Sequence, residues 1–201
     1  MEDNVQNNPR RRPKGDKRIR TQAALLSAAR ELVREVGFEQ VTMEAVARRA
    51  GMTSGAIYGN FKNRDDLLIG LSEQYWAPIV PDVAPGSSFS EVLAALAEAT
   101  IAALPEREIA AVGYLSGRAY ALSHAELSQK VQEATQRDYT AGAQWLRATV
   151  KEGDLPMAPE LLVRAIHAMS EGLVLQRLLT PELVPDEVIR AAFAALSGNQ
   201  S

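Results

Sequence analysis

The stretch that decides the fold runs from Gly51 to Leu68 and reads GMTSGAIYGNFKNRDDLL. A glycine able to take a left-handed turn is followed by Thr53, a good N-cap, and then by the short segment SGAIYGN. Asn63 and Asp66 have the spacing of a capping box that opens another helix. The short helix carries Gly55 and Gly59, although an interior glycine costs about 0.5–1 kcal/mol against alanine. Helix stability did not select them. Just upstream, Thr42 caps MEAVARRA, and Ala47 stands four residues before Gly51. Two helices joined by a short glycine turn, with a small residue where they cross, have the outline of a helix-turn-helix, whose second helix enters the DNA major groove. Val46, Ala50, Ile57 and Phe61 are placed to seal its small core. Thr53, Ser54, Gly55, Ala56, Tyr58, Gly59 and Asn60 are left on the outward side.

Helical periodicity extends in both directions, and no segment alternates apolar and polar residues as a strand does. Residues 1–16 are polar, basic and broken by Pro9, Pro13 and Gly15, the pattern of a flexible arm. A first helix follows over 17–36, with Leu25, Leu26, Ala29, Leu32, Val33 and Val36 on one face, Gly37 as its stop and Phe38 folding back. After a helix over 64–76, Pro78, Pro81, Pro85 and Gly86 make a break. Beyond it, capping boxes at Ser88–Glu91 and Ser123–Glu126 start Ala- and Leu-rich helices. Pro105 is expected to divide 88–104 from 106–122, and a long helix should run over 124–152. Pro159 opens PELLVRAIHAMSEGLVLQRLL, and DEVIRAAFAAL closes the chain. The expectation is all-α, with about nine helices: a basic arm (1–16), a three-helix DNA-binding domain (17–63) and a helical body (64–201).

Charge follows the same division. Of the 201 residues, the first 72 hold 13 Lys and Arg against 9 Asp and Glu, whereas the remainder hold 9 against 16. A basic front on an acidic body fits a polyanion met by the front alone. With no cysteine there is no disulfide, thiolate metal site or cysteine nucleophile, and no signal-like or 18-residue apolar run is present, so a cytoplasmic protein without a membrane segment is expected.

TMEAVARRAGMTSGAIYGNFKNRDDLL, Thr42 to Leu68, resembles the signature of the tetracycline-repressor (TetR) family of bacterial transcriptional regulators: a helix begun by Thr, an Ala-x-x-x-Gly turn, a short recognition helix, Tyr-x-x-Phe-Lys and an acidic-Leu-Leu run. With AALLSAARELVREVGFEQVTM before it, the resemblance spans about residues 18–71. It implies phosphate contacts at Thr42, Tyr58 and Lys62 and base reading at Ser54, Gly55 and Ala56, with Thr53 on the same face and Asn60 and Arg64 as further backbone-contact candidates. Hydroxyls, amides and cations suit phosphate oxygens, and small side chains let a helix sit deep against bases. Gly59 departs from the family, many of whose members carry an aromatic, His or Arg there.

A single helix-turn-helix reads few base pairs, so a homodimer meeting two half-sites of an operator is expected. The segment 160–179 is apolar over most of its circumference, and its polar residues Arg164, His167 and Glu171 form a narrow stripe. The resemblance implies that the last two helices pair with their mates, which assigns Ala165, Ala168, Met169, Gly172, Leu173, Ile189 and Phe193 to the dimer interface. It also implies an inducer site among the middle helices. Tyr75, Trp76, Tyr114, Tyr120, Tyr139 and Trp145 are its candidates, Arg118 is the candidate anion partner, and a hydrophobic or aromatic small molecule is the expected ligand. No cofactor or metal is expected, because His124 and His167 lack ligand spacing and neither a Gly-rich phosphate loop nor a nucleophile elbow occurs. An enzyme is not expected. The remaining readings are an activator of the same fold and a helical scaffold without DNA affinity; the scaffold leaves the front unexplained.

Overall fold

The apolar rows drawn from the sequence become helix faces in a computed structural model that describes residues 14–197. Among the described residues there are eight α-helices and no strand: α1 (Lys14–Val36), α2 (Met43–Arg49), α3 (Ser54–Tyr58), α4 (Arg64–Tyr75), α5 (Phe89–Leu122), α6 (Ala125–Thr149), α7 (Pro159–Leu179) and α8 (Asp186–Leu196). Of the expected arm, residues 1–13 lie outside the described residues, and Lys14–Asp16 already belong to α1. Two compact units divide between Leu71 and Ser72, inside α4 and further along than the expected boundary.

In the first unit α1 buries Leu25, Leu26, Ala28, Ala29, Leu32 and Val33, whereas Val36, assigned to the same face, is 49% exposed at the helix end. Gly37 stops the helix at φ 83°, and a 3-10 turn, Phe38–Gln40, turns the Phe38 ring inward. Thr42 caps α2 by accepting the Ala45 N–H at 3.1 Å. The exit of α2 follows from Gly51 at φ 65°: the Gly51 N–H donates to the Arg48 carbonyl and the Met52 N–H to the Ala47 carbonyl, a Schellman closure. α3 leaves immediately, capped by Thr53. α4 opens with the Asp66 N–H donating to Asn63 Oδ1 at 2.9 Å, while the Asp66 carboxylate accepts the Lys62 N–H.

In the second unit α5 packs chiefly on α8, and α6 on α7. Phe89, Val92, Leu93, Leu96 and Leu104 of α5 meet Leu146, Leu162, Ile166, Val174, Ile189 and Phe193 in one core. The Ser88–Glu91 capping box forms with both of its hydrogen bonds. Pro105 does not divide two helices; it lies within α5, and the helix count falls from nine to eight. An interior proline removes one ladder bond and costs about 3 kcal/mol. The buried face runs on across it through Leu96, Ala97, Leu104 and Ala110, and that burial outweighs the break. The expected Ser123–Glu126 box is replaced: Ser123 caps the end of α5, its Oγ donating to the Tyr120 carbonyl, and His124 precedes α6 without a side-chain cap.

Candidate functional site

Within the first unit, α3 presents two unlike faces. Ile57 is fully buried, and Phe61 just beyond the helix is nearly so, together with Val46 and Ala47 of α2; Ala50 is half-buried. Thr53, Ser54, Gly55, Tyr58, Lys62 and Thr42 are exposed, and Ala56 is half-buried. The capping threonines use their oxygens to accept N–H groups, so each keeps its own O–H as a donor. Donors and a cation therefore gather around a helix face with little side-chain bulk, as a duplex backbone requires.

Three details could not be drawn from spacing. Tyr58 is 49% exposed; its hydroxyl donates to Glu44 Oε1 at 3.0 Å, and this bond holds its pKa above the ordinary tyrosine value. Asn60 turns back, its Nδ2 donating to the Ala56 carbonyl at 2.7 Å. Arg64, expected at the DNA backbone, is occupied within the unit: Nε donates to the Val41 carbonyl at 2.9 Å, Nη2 to the Phe38 carbonyl, and the guanidinium stacks on the Phe38 ring. The Phe38 and Val41 carbonyls, in the turn before α2, thus find a donor in the Arg64 side chain. Arg49 likewise faces the unit and not a duplex, gripping Glu35 with two hydrogen bonds and holding that carboxyl below its usual pKa.

In the second unit the ligand-site candidates separate. Trp76 and Tyr114 stack with centroids 4.0 Å apart and planes 7° from parallel. Arg118 Nε donates to the Tyr114 oxygen at 2.9 Å, and the Tyr114 hydroxyl donates to Glu171. Burial, reinforced by that carboxylate, pushes the Tyr114 pKa up. Glu171 also lies 3.5 Å from Arg118 Nη2 and 3.7 Å from His167 Nε2, and Tyr139 meets His167 edge-on. Trp76, Tyr114 and Arg118 thus come together around Glu171 and His167, two residues assigned from sequence only to a polar stripe. Their i, i+4 spacing, shared by Tyr114 and Arg118, was the available signal. The other candidates lie apart: Tyr120 stacks on His124 at 3.6 Å, Trp145 packs against the hydrophobic core, and Tyr75 lines a groove beside α5.

The expected dimer residues also divide. Ala165, Ala168 and Gly172 are exposed, in line with exposed Leu161 and Leu179 along α7. Met169 and Leu173 are partly buried against the core. Ile189 and Phe193 are fully buried within this chain, because α8 turns that face onto α5; they are core residues, not interface. Among the described residues, no group of three or more His, Asp or Glu could hold a metal ion, and no helix is long and apolar enough to cross a membrane.

Residues 25–71 match the family described as bacterial regulatory proteins, tetR family, and residues 89–197 match the BetI-type transcriptional repressor C-terminal family. The fatty acid metabolism regulator protein of Bacillus subtilis (strain 168) is 30% identical over 114 residues, which cover 54% of this chain and 57% of that relative. The chain thus matches little more than half the length of this curated relative. Among solved structures, Salmonella enterica GusR aligns over 94% of this chain and 98% of its own, with a TM-score of 0.64 and 16% identity. The multidrug binding protein EbrR, complexed with imidazole, covers 98% of this chain and 97% of its own, with a TM-score of 0.61 and 20% identity.

Proposed function

Since the chain belongs to the tetR family of bacterial transcriptional regulators, we propose that it is a ligand-responsive repressor that binds a palindromic operator as a homodimer. The observation that carries this reading is the two-faced α3, with Ile57 locked into the unit while Thr53, Ser54, Gly55, Tyr58 and, just beyond, Lys62 stand in solvent. Ser54, Gly55 and Ala56 read bases; Thr42, Thr53, Tyr58 and Lys62 hold phosphates. Tyr58 must exchange its Glu44 acceptor for a phosphate oxygen as the duplex arrives. The exposed small-residue row of α7 supplies the dimer contact, since Ala165, Ala168 and Gly172 let two helices approach closely.

Release follows from two states. The free dimer holds its recognition helices at the half-site spacing, and a ligand that prefers another spacing weakens DNA binding by its difference in affinity for the two. Operator must then weaken ligand binding by the same factor. The ligand is a hydrophobic or aromatic small molecule held in the second unit, where Trp76, Tyr114 and Arg118 gather. The names of the relatives make fatty acyl compounds and small aromatic heterocycles the first to screen. Footprinting on the DNA upstream of its own gene tests the reading. A protected inverted repeat supports it, and binding indifferent to sequence contradicts it.

A further inference from the structure

A groove of about 410 Å³ runs beside α5 where the chain leaves α4, and its volume falls in the range of small-molecule sites. Ala77, Pro78, Ile79 and Val80 form one wall and Ala99, Ala102 and Ala103 the other. Arg107 is the one cation among the lining residues, and only 6% of it is exposed. It has no carboxylate within ion-pair distance among the described contacts. Its guanidinium lies over the Trp76 ring, 4.7 Å from the centroid, and Nη2 donates to the Ala77 carbonyl, but Nη1 is buried with no hydrogen-bond partner. Burial lowers its pKa from the ordinary arginine value, against the opposing fields of Tyr114, Glu106 and Glu171. A buried cation with an unmet donor is expensive and calls for an anion.

We propose that this groove binds an organic carboxylate with an apolar body, whose carboxylate meets Arg107 and whose chain lies along Pro78–Val80 and the alanines of α5. Because Nη1 has no accessible surface, the guanidinium must turn toward the groove to meet the carboxylate, and in turning it leaves the Ala77 carbonyl. That frees the segment 77–80, which has no helix or strand to hold it. Glu106, exposed at the rim, opposes the anion and sets an upper limit on its affinity. The proposal deepens the regulator reading by naming the ligand class. It rests on that reading only for what binding does to DNA, not for binding itself.

The test is calorimetric titration of the full chain, without DNA, using decanoate, decanol and inorganic phosphate. Decanoate should bind once per chain, decanol at least about tenfold more weakly, and phosphate alone not measurably, because the charged hydrogen bond and the apolar wall are both needed. R107M should weaken decanoate about tenfold or more. E106Q should tighten it a few-fold, and A102F, on an exposed position of the groove wall, should abolish it; neither touches the core. Equal affinity for decanoate and decanol, no gain in E106Q, or an unchanged A102F would each overturn the proposal, even if R107M failed to fold. Anisotropy of labelled operator with and without decanoate is read separately: a carboxylate that binds at Arg107 but leaves DNA affinity unchanged counts against the release mechanism alone.

Discussion

Gly55 has room for a side chain, since a Cβ there would meet nothing nearer than the Thr53 hydroxyl oxygen at 3.8 Å. Gly55→Ala should therefore raise the melting free energy by about 0.5–1 kcal/mol while altering operator preference, because the added methyl meets the bases and not the protein. Unchanged base preference in a binding-site selection would remove Gly55 from the interface. Gly59 differs: it ends α3 at φ −73° and ψ −15°, a right-handed conformation open to any residue, so the backbone gives no reason for its departure from the family pattern. Lys62→Ala should weaken binding to all sequences alike and reduce the slope of log affinity against log salt by about 1. An unchanged slope would exclude Lys62 from the phosphate contacts. The outward residues of α3 were legible because burial of Ile57 and Phe61 dictates which side remains. Arg64 was not, because nothing in its spacing reveals two carbonyls of the turn before α2 waiting for a donor.

At the scale of the elements, caps and glycine stops were readable wherever one local rule acted alone, as at Thr42, Gly51, Thr53 and the Ser88–Glu91 pair. They failed where tertiary burial competed with the local rule. α5 continues through Pro105 because its apolar face does, and Ile189 and Phe193 serve the core because α8 lies on α5. Gly142 of α6 lies against Val163 of α7, where a Cβ would fall 2.5 Å from Val163 Cγ2. Val163 is β-branched and stiff on a helix, so Gly142→Ala should cost about 1–3 kcal/mol in denaturant melts. Adding Val163→Ala should recover most of that loss, whereas simple additivity of the two changes would place the contact elsewhere.

The molecule as a whole carries several carboxyls whose pKa values partners hold below the ordinary range: Glu35 through Arg49, Glu91 through Ser88, Glu98 through Arg190 and Glu160 through Arg147. These groups bind fewer protons folded than unfolded. Their contribution is therefore complete above the unfolded carboxylate pKa and is lost as pH falls through the folded values. The melting temperature should fall on acidification below that range, and charge-neutral Gln variants at these positions should flatten the profile. The division into a basic front and an acidic body was legible from charge alone, but the gathering of Trp76, Tyr114, Arg118, His167 and Glu171 required the crossing of α5 and α7. The central claim is sequence-specific DNA recognition by a dimer, and selection of binding sites from random duplexes by the full chain tests it most directly. The account predicts enrichment of one inverted repeat, bound with two chains per duplex; recovery of no motif, or of a single half-site bound by one chain, would contradict it.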